Sequence, residues 1–203
     1  MNDFQLLETM RAENGVVSLL DRHLERLRAS AARLHFQLDL ESVRLGVELA
    51  ARDAAGPARL RLTLPENGDW RLESGAIPEG TPGLLTLAAL RVNSSDIRLY
   101  HKTTNREFYE RARAGVAPDA DALLINERNE VTETTIANIA VWRNGQWITP
   151  PVRCGLLAGV QRAELLSRGM IVEGVIPMAG LVDGETVRCF NALRGLFDAT
   201  IRL

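Results

Sequence analysis

The chain has 203 residues, 46% hydrophobic and 25% charged, with a formal net charge of −2 at pH 7. That length supports one large domain or two small ones with a sizeable core, and the composition is ordinary for a globular protein. No basic block is present, which argues against a nucleic-acid partner, and no apolar run is long enough to span a bilayer. Met1-Asn2-Asp3-Phe4 has no basic-then-apolar leader pattern. Cys154 and Cys189 sit in no metal-ligand spacing, so no metal is expected. Free thiols in a reducing cytoplasm fit them best, with a disulfide between them left open.

In chain order, Phe4 to Arg11 and Val16 to Leu20 flank Glu13-Asn14-Gly15 and predict a hairpin, because Asn-Gly favours the tight turns that join antiparallel strands. Ser18 and Asp21 have capping-box spacing. Leu20, Leu24, Leu27, Ala31 and Leu34 then alternate fours and threes, which predicts a helix to about His35. A second helix is predicted from about Leu40 to Ala54, with Leu40, Val43, Val47 and Ala50 inward and Gly56-Pro57 beyond its end. Arg59 to Leu64 alternates with strand period, Asn67-Gly68 turns, and Trp70 to Leu72 returns. Gly75, Pro78, Gly80, Pro82 and Gly83 mark a linker over 75–83.

The second half opens with a strand from Leu84 to Val92. A helix is predicted from Asn105, as cap, to about Ala114. Asp121 to Asn126 reads as a buried strand. Ile136 to Trp142 and Gln146 to Ile148 flank the Asn144-Gly145 turn as another hairpin. Gly155 to Gly159 leads into a helix over Val160 to Ser167, stopped by Gly169. Val187 to Phe190 reads as the last strand.

Lys102 is the only lysine; the other 23 of the 24 basic residues are arginine. A guanidinium stays protonated in proteins, whereas a lysine amine placed in a desolvated or cationic setting loses its proton and becomes a nucleophile. Arginine bias explains the count on its own. The neighbours add the chemistry.

Four stretches recur together: His23-Leu24-Glu25-Arg26-Leu27, His101-Lys102-Thr103-Thr104-Asn105, Val131 to Asn138 with Glu133 in it, and Gly155 to Arg162. Their ordered set resembles the fold-type-IV pyridoxal-phosphate enzymes, a family of branched-chain aminotransferases, D-amino acid aminotransferases and 4-amino-4-deoxychorismate lyases. The resemblance runs from about Leu6 to Leu193. It implies a two-subdomain α/β (α+β) architecture: a small N-terminal subdomain over 1–74, and a larger, barrel-like, cofactor-binding subdomain over 84–203. It places the cofactor in the cleft between them, and implies a homodimer.

By the same resemblance, Lys102 holds the aldehyde of pyridoxal 5'-phosphate and serves as the mobile acid and base. Glu133 faces the pyridine nitrogen and keeps it protonated. Arg26 grips the phosphate through paired hydrogen bonds. Val160 and Gln161 offer backbone N–H groups where a loop becomes a helix. Asn191 and Ala192 complete the phosphate side, and Asn138 is structural. Family members place threonine hydroxyls near the phosphate; Gln161 and Ala192 stand there in this chain. Family members also carry a strand before the stretch matched by Leu7 to Arg11, and this sequence starts after it.

Three features resemble the lyase branch. Thr9 stands where lyases carry threonine and branched-chain aminotransferases glycine, a place from which a hydroxyl relays a proton or holds a carboxylate. Cys189-Phe190-Asn191-Ala192-Leu193 is similar to the lyase Cys-Asn-Ala-Leu stretch. The Lys102 stretch and the run from Asn191 to Gly195 resemble the lyase domain fused to aminodeoxychorismate synthase, which makes that synthase a candidate partner. The Arg-x-His pattern of D-amino acid aminotransferases is missing, since Leu99-Tyr100 follows Arg98. The expected activity is release of 4-aminobenzoate and pyruvate from 4-amino-4-deoxychorismate, a dicarboxylate, in folate biosynthesis. The alternatives are a class IV aminotransferase and a non-catalytic or partner-dependent member.

Overall fold

A computed structural model describes residues 4–203; the leader reading of Met1-Asn2-Asp3 lies outside them. The chain divides into two compact units. The first runs to Glu79 and also takes in His101–Asn105; the second comprises Gly80–Tyr100 and Arg106–Leu203. The segment bearing Lys102 therefore groups with the N-terminal residues rather than with the sequence around it.

The first unit is a four-stranded antiparallel sheet with two helices. Its strands β1 (Leu6–Glu13), β2 (Val16–Val17), β3 (Ala58–Leu64) and β4 (Arg71–Gly75) lie in the order β2-β1-β3-β4. Helices α1 (Leu20–Leu34) and α2 (Leu40–Asp53) cover one face. Period-two alternation sends Leu60, Leu62 and Leu64 of β3 inward against Leu24, Leu27, Val43 and Val47. Each fully buried leucine contributes about 1.5–3 kcal/mol. Gly46 sits mid-helix in α2 because a Cβ there would lie 2.3 Å from the Trp70 ring.

Two local expectations change. The capping box does not form: Leu19 is the N-cap of α1, with φ +57° and no side-chain cap bond, while the Ser18 N–H bonds the Arg11 carbonyl and extends the hairpin. Asp39 caps α2 by accepting from the Ser42 N–H at 3.0 Å. On α2 the fully buried third position is Ala51, with Ala50 partly buried beside it.

The second unit is an eight-stranded mixed sheet curled into a half-barrel. Its strands are β5 (Leu84–Val92), β6 (Ala120–Asn126), β7 (Val131–Thr134), β8 (Asn138–Arg143), β9 (Gln146–Thr149), β10 (Val172–Glu173), β11 (Thr186–Asn191) and β12 (Gly195–Arg202), in the order β10-β9-β8-β11-β12-β5-β6-β7. The pairs β5–β6, β5–β12 and β9–β10 are parallel. Every residue of β6 is buried. Helices α3 (Glu107–Arg113) and α4 (Val160–Ser167) belong to this unit. Arg106, not Asn105, is the N-cap of α3, because His101–Asn105 is held as extended chain elsewhere. The last strand is β12, which pairs with both β11 and β5.

Both cysteines are free and buried. Burial pushes the Cys154 thiol up to about 11 and the Cys189 thiol to about 12, so both are inert at neutral pH. Among the described residues no helix is long and apolar enough to cross a membrane, and no three His, Cys, Asp or Glu gather as metal ligands.

Candidate active site

In the first unit Lys102 lies along the edge of β1 that β2 leaves open. The Leu7 N–H donates to the Lys102 carbonyl at 2.9 Å, Thr103 forms an antiparallel bridge with Leu6, and the Thr104 N–H donates to the Gln5 carbonyl at 2.9 Å. The Thr104 hydroxyl accepts from the Gln5 N–H, and the His101 ring bonds Ser30 on α1 at 3.0 Å. These bonds fix the backbone of the one lysine from both sides.

Alternation along the strand sorts the side chains by face. Leu6, Met10 and Ala12 point into the core under the helices. Glu8 shares that face and meets α1, where His23 and Arg26 are three residues apart and on one side of the helix. Thr9 points the other way and stands opposite Arg61 in the β1–β3 register.

Glu8 is 2% exposed. It accepts from Arg26 Nε at 2.8 Å and from a terminal Arg26 nitrogen at 2.6 Å, a two-point grip that fixes the plane of the guanidinium. Its Oε2 also meets His23 Nδ1 at 2.7 Å. Burial alone would raise the Glu8 carboxyl, but the Arg26 charge and the His23 hydrogen bond outweigh it and bring it to about 2. Burial also lowers His23, helped by the charges of Arg26 and Lys102 and opposed by Glu8. The imidazole is therefore neutral at pH 7 and donates through Nδ1. Its Nε2 is buried with no hydrogen-bond partner.

In the second unit Glu133 sits on β7, 5% exposed. It accepts from the Tyr109 hydroxyl at 2.9 Å, the Asn138 amide at 3.1 Å and the Leu157 N–H at 3.2 Å. Burial, then the Glu133 charge, holds the Tyr109 phenol well above its ordinary range, so Tyr109 acts only as a donor here. Arg106 lies 4.7 Å over the Tyr109 ring and donates to the Thr135 carbonyl at 2.5 Å. The Thr135 hydroxyl donates to buried Asp121.

Asn138 also donates to the Leu157 carbonyl at 2.9 Å, tying the Gly155–Gly159 loop to β8. Gly159, the N-cap of α4, admits this contact, since a Cβ there would lie 2.0 Å from Asn138 Oδ1. No side chain caps α4, so Val160 and Gln161 begin the helix with their N–H groups outside its ladder. Asn191 donates to the Ile136 carbonyl at 3.1 Å, and its Oδ1 accepts from the Leu193 and Arg194 N–H groups, which shapes the turn holding Ala192.

The structure thus brings Lys102, Thr9 and Arg26 into one unit, and Glu133, Val160, Gln161, Asn191 and Ala192 into the other. Sequence reasoning missed Glu8, His23 and Tyr109. His23 and Glu8 lay within stretches it had singled out, and the signal available was a histidine three residues before an arginine on one helix face. Nothing local marks Tyr109 as a partner of Glu133.

Comparison with known proteins identifies the family and the fold. The family described as amino-transferase class IV matches residues 5–200. A Schizosaccharomyces pombe protein provisionally named an aminodeoxychorismate lyase is 36% identical, over 96% of this chain and 88% of that protein. A provisionally named amino-acid aminotransferase from Mesorhizobium loti superposes with a TM-score of 0.89 at 37% identity, over 98% of this chain and all of that one. The 4-amino-4-deoxychorismate lyase of Pseudomonas aeruginosa shares the fold, with a TM-score of 0.83 at 24% identity over 98% of this chain and 83% of that one. With its two α/β units, its single lysine beside β1 and a match along nearly its whole length, this chain belongs to the class IV aminotransferase family, the fold-type-IV pyridoxal-phosphate enzymes.

Proposed function

We propose that this protein is a pyridoxal-phosphate-dependent lyase that converts 4-amino-4-deoxychorismate into 4-aminobenzoate and pyruvate, a step of folate biosynthesis. The observation that carries the reading is the placement of Lys102 beside Leu7, on a strand that also bears the Thr9 hydroxyl. The full-length likeness to the fission yeast protein supports it.

The donor chemistry present fits the cofactor. Lys102 is the one side-chain amine able to take its aldehyde. Arg26, its plane fixed by Glu8, offers a guanidinium for the phosphate. Within the second unit, the uncapped start of α4 at Val160 and Gln161 and the turn at Asn191-Ala192 present backbone groups suited to an anion. Glu133, buried and oriented by Tyr109, Asn138 and the Leu157 N–H, is a carboxylate suited to a protonated pyridine nitrogen.

Bound pyridoxal phosphate supplies an electron sink for the carbon bearing the substrate amine. The Lys102 amine would hold the cofactor's aldehyde and, as a base, would accept the C4 proton of the substrate ring. Thr9 holds a proton or a substrate carboxylate beside it. The C3–oxygen bond breaks, enolpyruvate departs and gains a proton to become pyruvate, and the ring becomes aromatic. The products would then be 4-aminobenzoate and pyruvate.

The protein loaded with pyridoxal phosphate and given 4-amino-4-deoxychorismate, with no 2-oxo acid present, is expected to release 4-aminobenzoate and pyruvate in equal amounts. The likeness to the Mesorhizobium loti protein favours a second reading, amino transfer. Transfer of an amino group to 2-oxoglutarate, with no 4-aminobenzoate formed, would replace the lyase by an aminotransferase. A homodimer and cooperation with aminodeoxychorismate synthase belong to the same proposal, and sedimentation at a dimer's mass tests the first.

A further inference from the structure

Helix α3 opens with two side chains that both reach the end of β7. Arg106 is its N-cap, and Tyr109 is its third residue. The Tyr109 hydroxyl donates to Glu133 Oε1 at 2.9 Å. The Arg106 guanidinium lies 4.7 Å over the Tyr109 ring and donates to the Thr135 carbonyl at 2.5 Å. Thr135 in turn donates through its hydroxyl to Asp121 on β6, a strand buried along its whole length. Asp121 also accepts from the Ala122 N–H at 2.8 Å. All of these residues belong to the second unit. The phenol is thus held at both ends, its ring by a cation anchored on the core sheet and its oxygen by Glu133.

What the hydroxyl does to Glu133 follows from its chemistry. A hydrogen bond donated to a carboxylate favours the ionised form and lowers its affinity for a proton. Asn138 and the Leu157 N–H donate to the same carboxylate. Of these three donors only the phenol is an acid whose strength responds to its surroundings. The cation over its ring face makes the O–H a stronger donor. Burial, then the Glu133 charge, keep the phenol neutral, so it retains the proton it shares. Asp96 acts on the phenol in the same direction as Glu133, and is itself paired with Arg98 at 2.7 Å. The ring has its own apolar contacts: it packs with Phe108 against Ala88, Leu99 and Leu124, a place that does not depend on the hydroxyl.

We infer that Tyr109 sets the proton affinity of Glu133 and, through it, how firmly a proton stays on the pyridine nitrogen of the cofactor. The inference rests on the cofactor role proposed above for Glu133. A carboxylate and a pyridine that share one proton hold it either as an ion pair or as a neutral pair. Burial favours the neutral pair, because it penalises separated charge. A donor on the carboxylate opposes that preference and leaves the proton on the nitrogen, where the ring withdraws electrons most strongly. Tyr109 is therefore a positioning residue that acts through Glu133, and Arg106 a weaker one that acts through Tyr109.

The test loads wild type, Tyr109→Phe and Arg106→Met with pyridoxal phosphate carrying nitrogen-15 in its ring, and follows the nitrogen resonance with pH. A further protein carries 3-fluorotyrosine at position 109, whose phenol is a stronger acid and a stronger donor. Borohydride labelling of Lys102 reports in each that the cofactor is held, and circular dichroism that the fold is kept. The midpoint at which the nitrogen loses its proton is expected to fall by about one pH unit in Tyr109→Phe, the size that a hydrogen bond to a charged group supplies. A smaller fall is expected in Arg106→Met, and a rise with 3-fluorotyrosine. A tyrosine that serves only packing does not produce that order. Equal midpoints in wild type and Tyr109→Phe, or a 3-fluorotyrosine midpoint below that of wild type, overturn the inference. If Lys102 is labelled and the midpoints are equal, the cofactor reading stands and the inference alone falls; if wild type takes no label, both fall.

Discussion

Each unit buries one glutamate at its site, and different hydrogen-bond donors orient the two. Glu8 is gripped by a cation and an imidazole, so its charge is answered within the first unit. Glu133 accepts from the Tyr109 phenol, the Asn138 amide and the Leu157 backbone N–H. A carboxylate answered by a guanidinium is fixed together with it, and Glu8 in effect aims Arg26. A carboxylate that accepts from groups on α3, on β8 and on the Gly155–Gly159 loop is held in position between those elements.

The sharpest way to break this contrast is Glu8→Ala. It leaves the Arg26 charge without its buried partner and is expected to cost about 3–5 kcal/mol, read as a fall in the urea midpoint. Glu8→Gln, which still accepts from Arg26, should cost less. Gly159→Ala comes next, since its methyl needs the space of Asn138 Oδ1. About 1–3 kcal/mol is expected from the overpacking, with loss of the Asn138 contact to Glu133. Tyr109→Phe removes one neutral donor from a carboxylate and should cost about 1–3 kcal/mol while leaving the fold intact by circular dichroism.

The smallest expected effect is on pH dependence, and it separates His23 from Glu8 within the first unit. His23 is lowered from 6.5 in the folded state, so the unfolded chain binds more protons and stability declines as pH falls below about 6.5. Glu8 is lowered from 4.5 to about 2, so its contribution is complete above 4.5 and is lost as pH falls toward 2. Denaturation midpoints followed from pH 8 to pH 3 should show both declines in wild type. His23→Gln should flatten the upper one; an unchanged upper slope would contradict a buried neutral imidazole.

Much of the architecture was legible because it is periodic. Leu20, Leu24, Leu27, Ala31 and Leu34 give α1 its register, and the alternation from Arg59 to Leu64 gives β3 its two faces. The boundaries that failed were set by distant partners. Asn105 does not cap α3 because the segment around Lys102 pairs with β1, some hundred positions earlier in the sequence, and no local pattern announces that. Ser18 does not cap α1 because its N–H serves the hairpin. Strand β12 went unread although its signal is there: Phe197, Ala199 and Ile201 alternate with the more exposed Asp198, Thr200 and Arg202. At the site, types and order of residues were readable from the family pattern, while the bonds that orient them join β1 to α1 and α3 to β7 across gaps no local pattern spans.

The central claim is that Lys102 is the residue around which this protein binds and works. Incubation with pyridoxal phosphate, reduction with borohydride and peptide mass mapping test it directly, because the N-terminal amine is the sole competitor for the label. The account predicts an adduct on the peptide containing Lys102, lost in Lys102→Ala. A folded protein that carries no adduct on that peptide would contradict it.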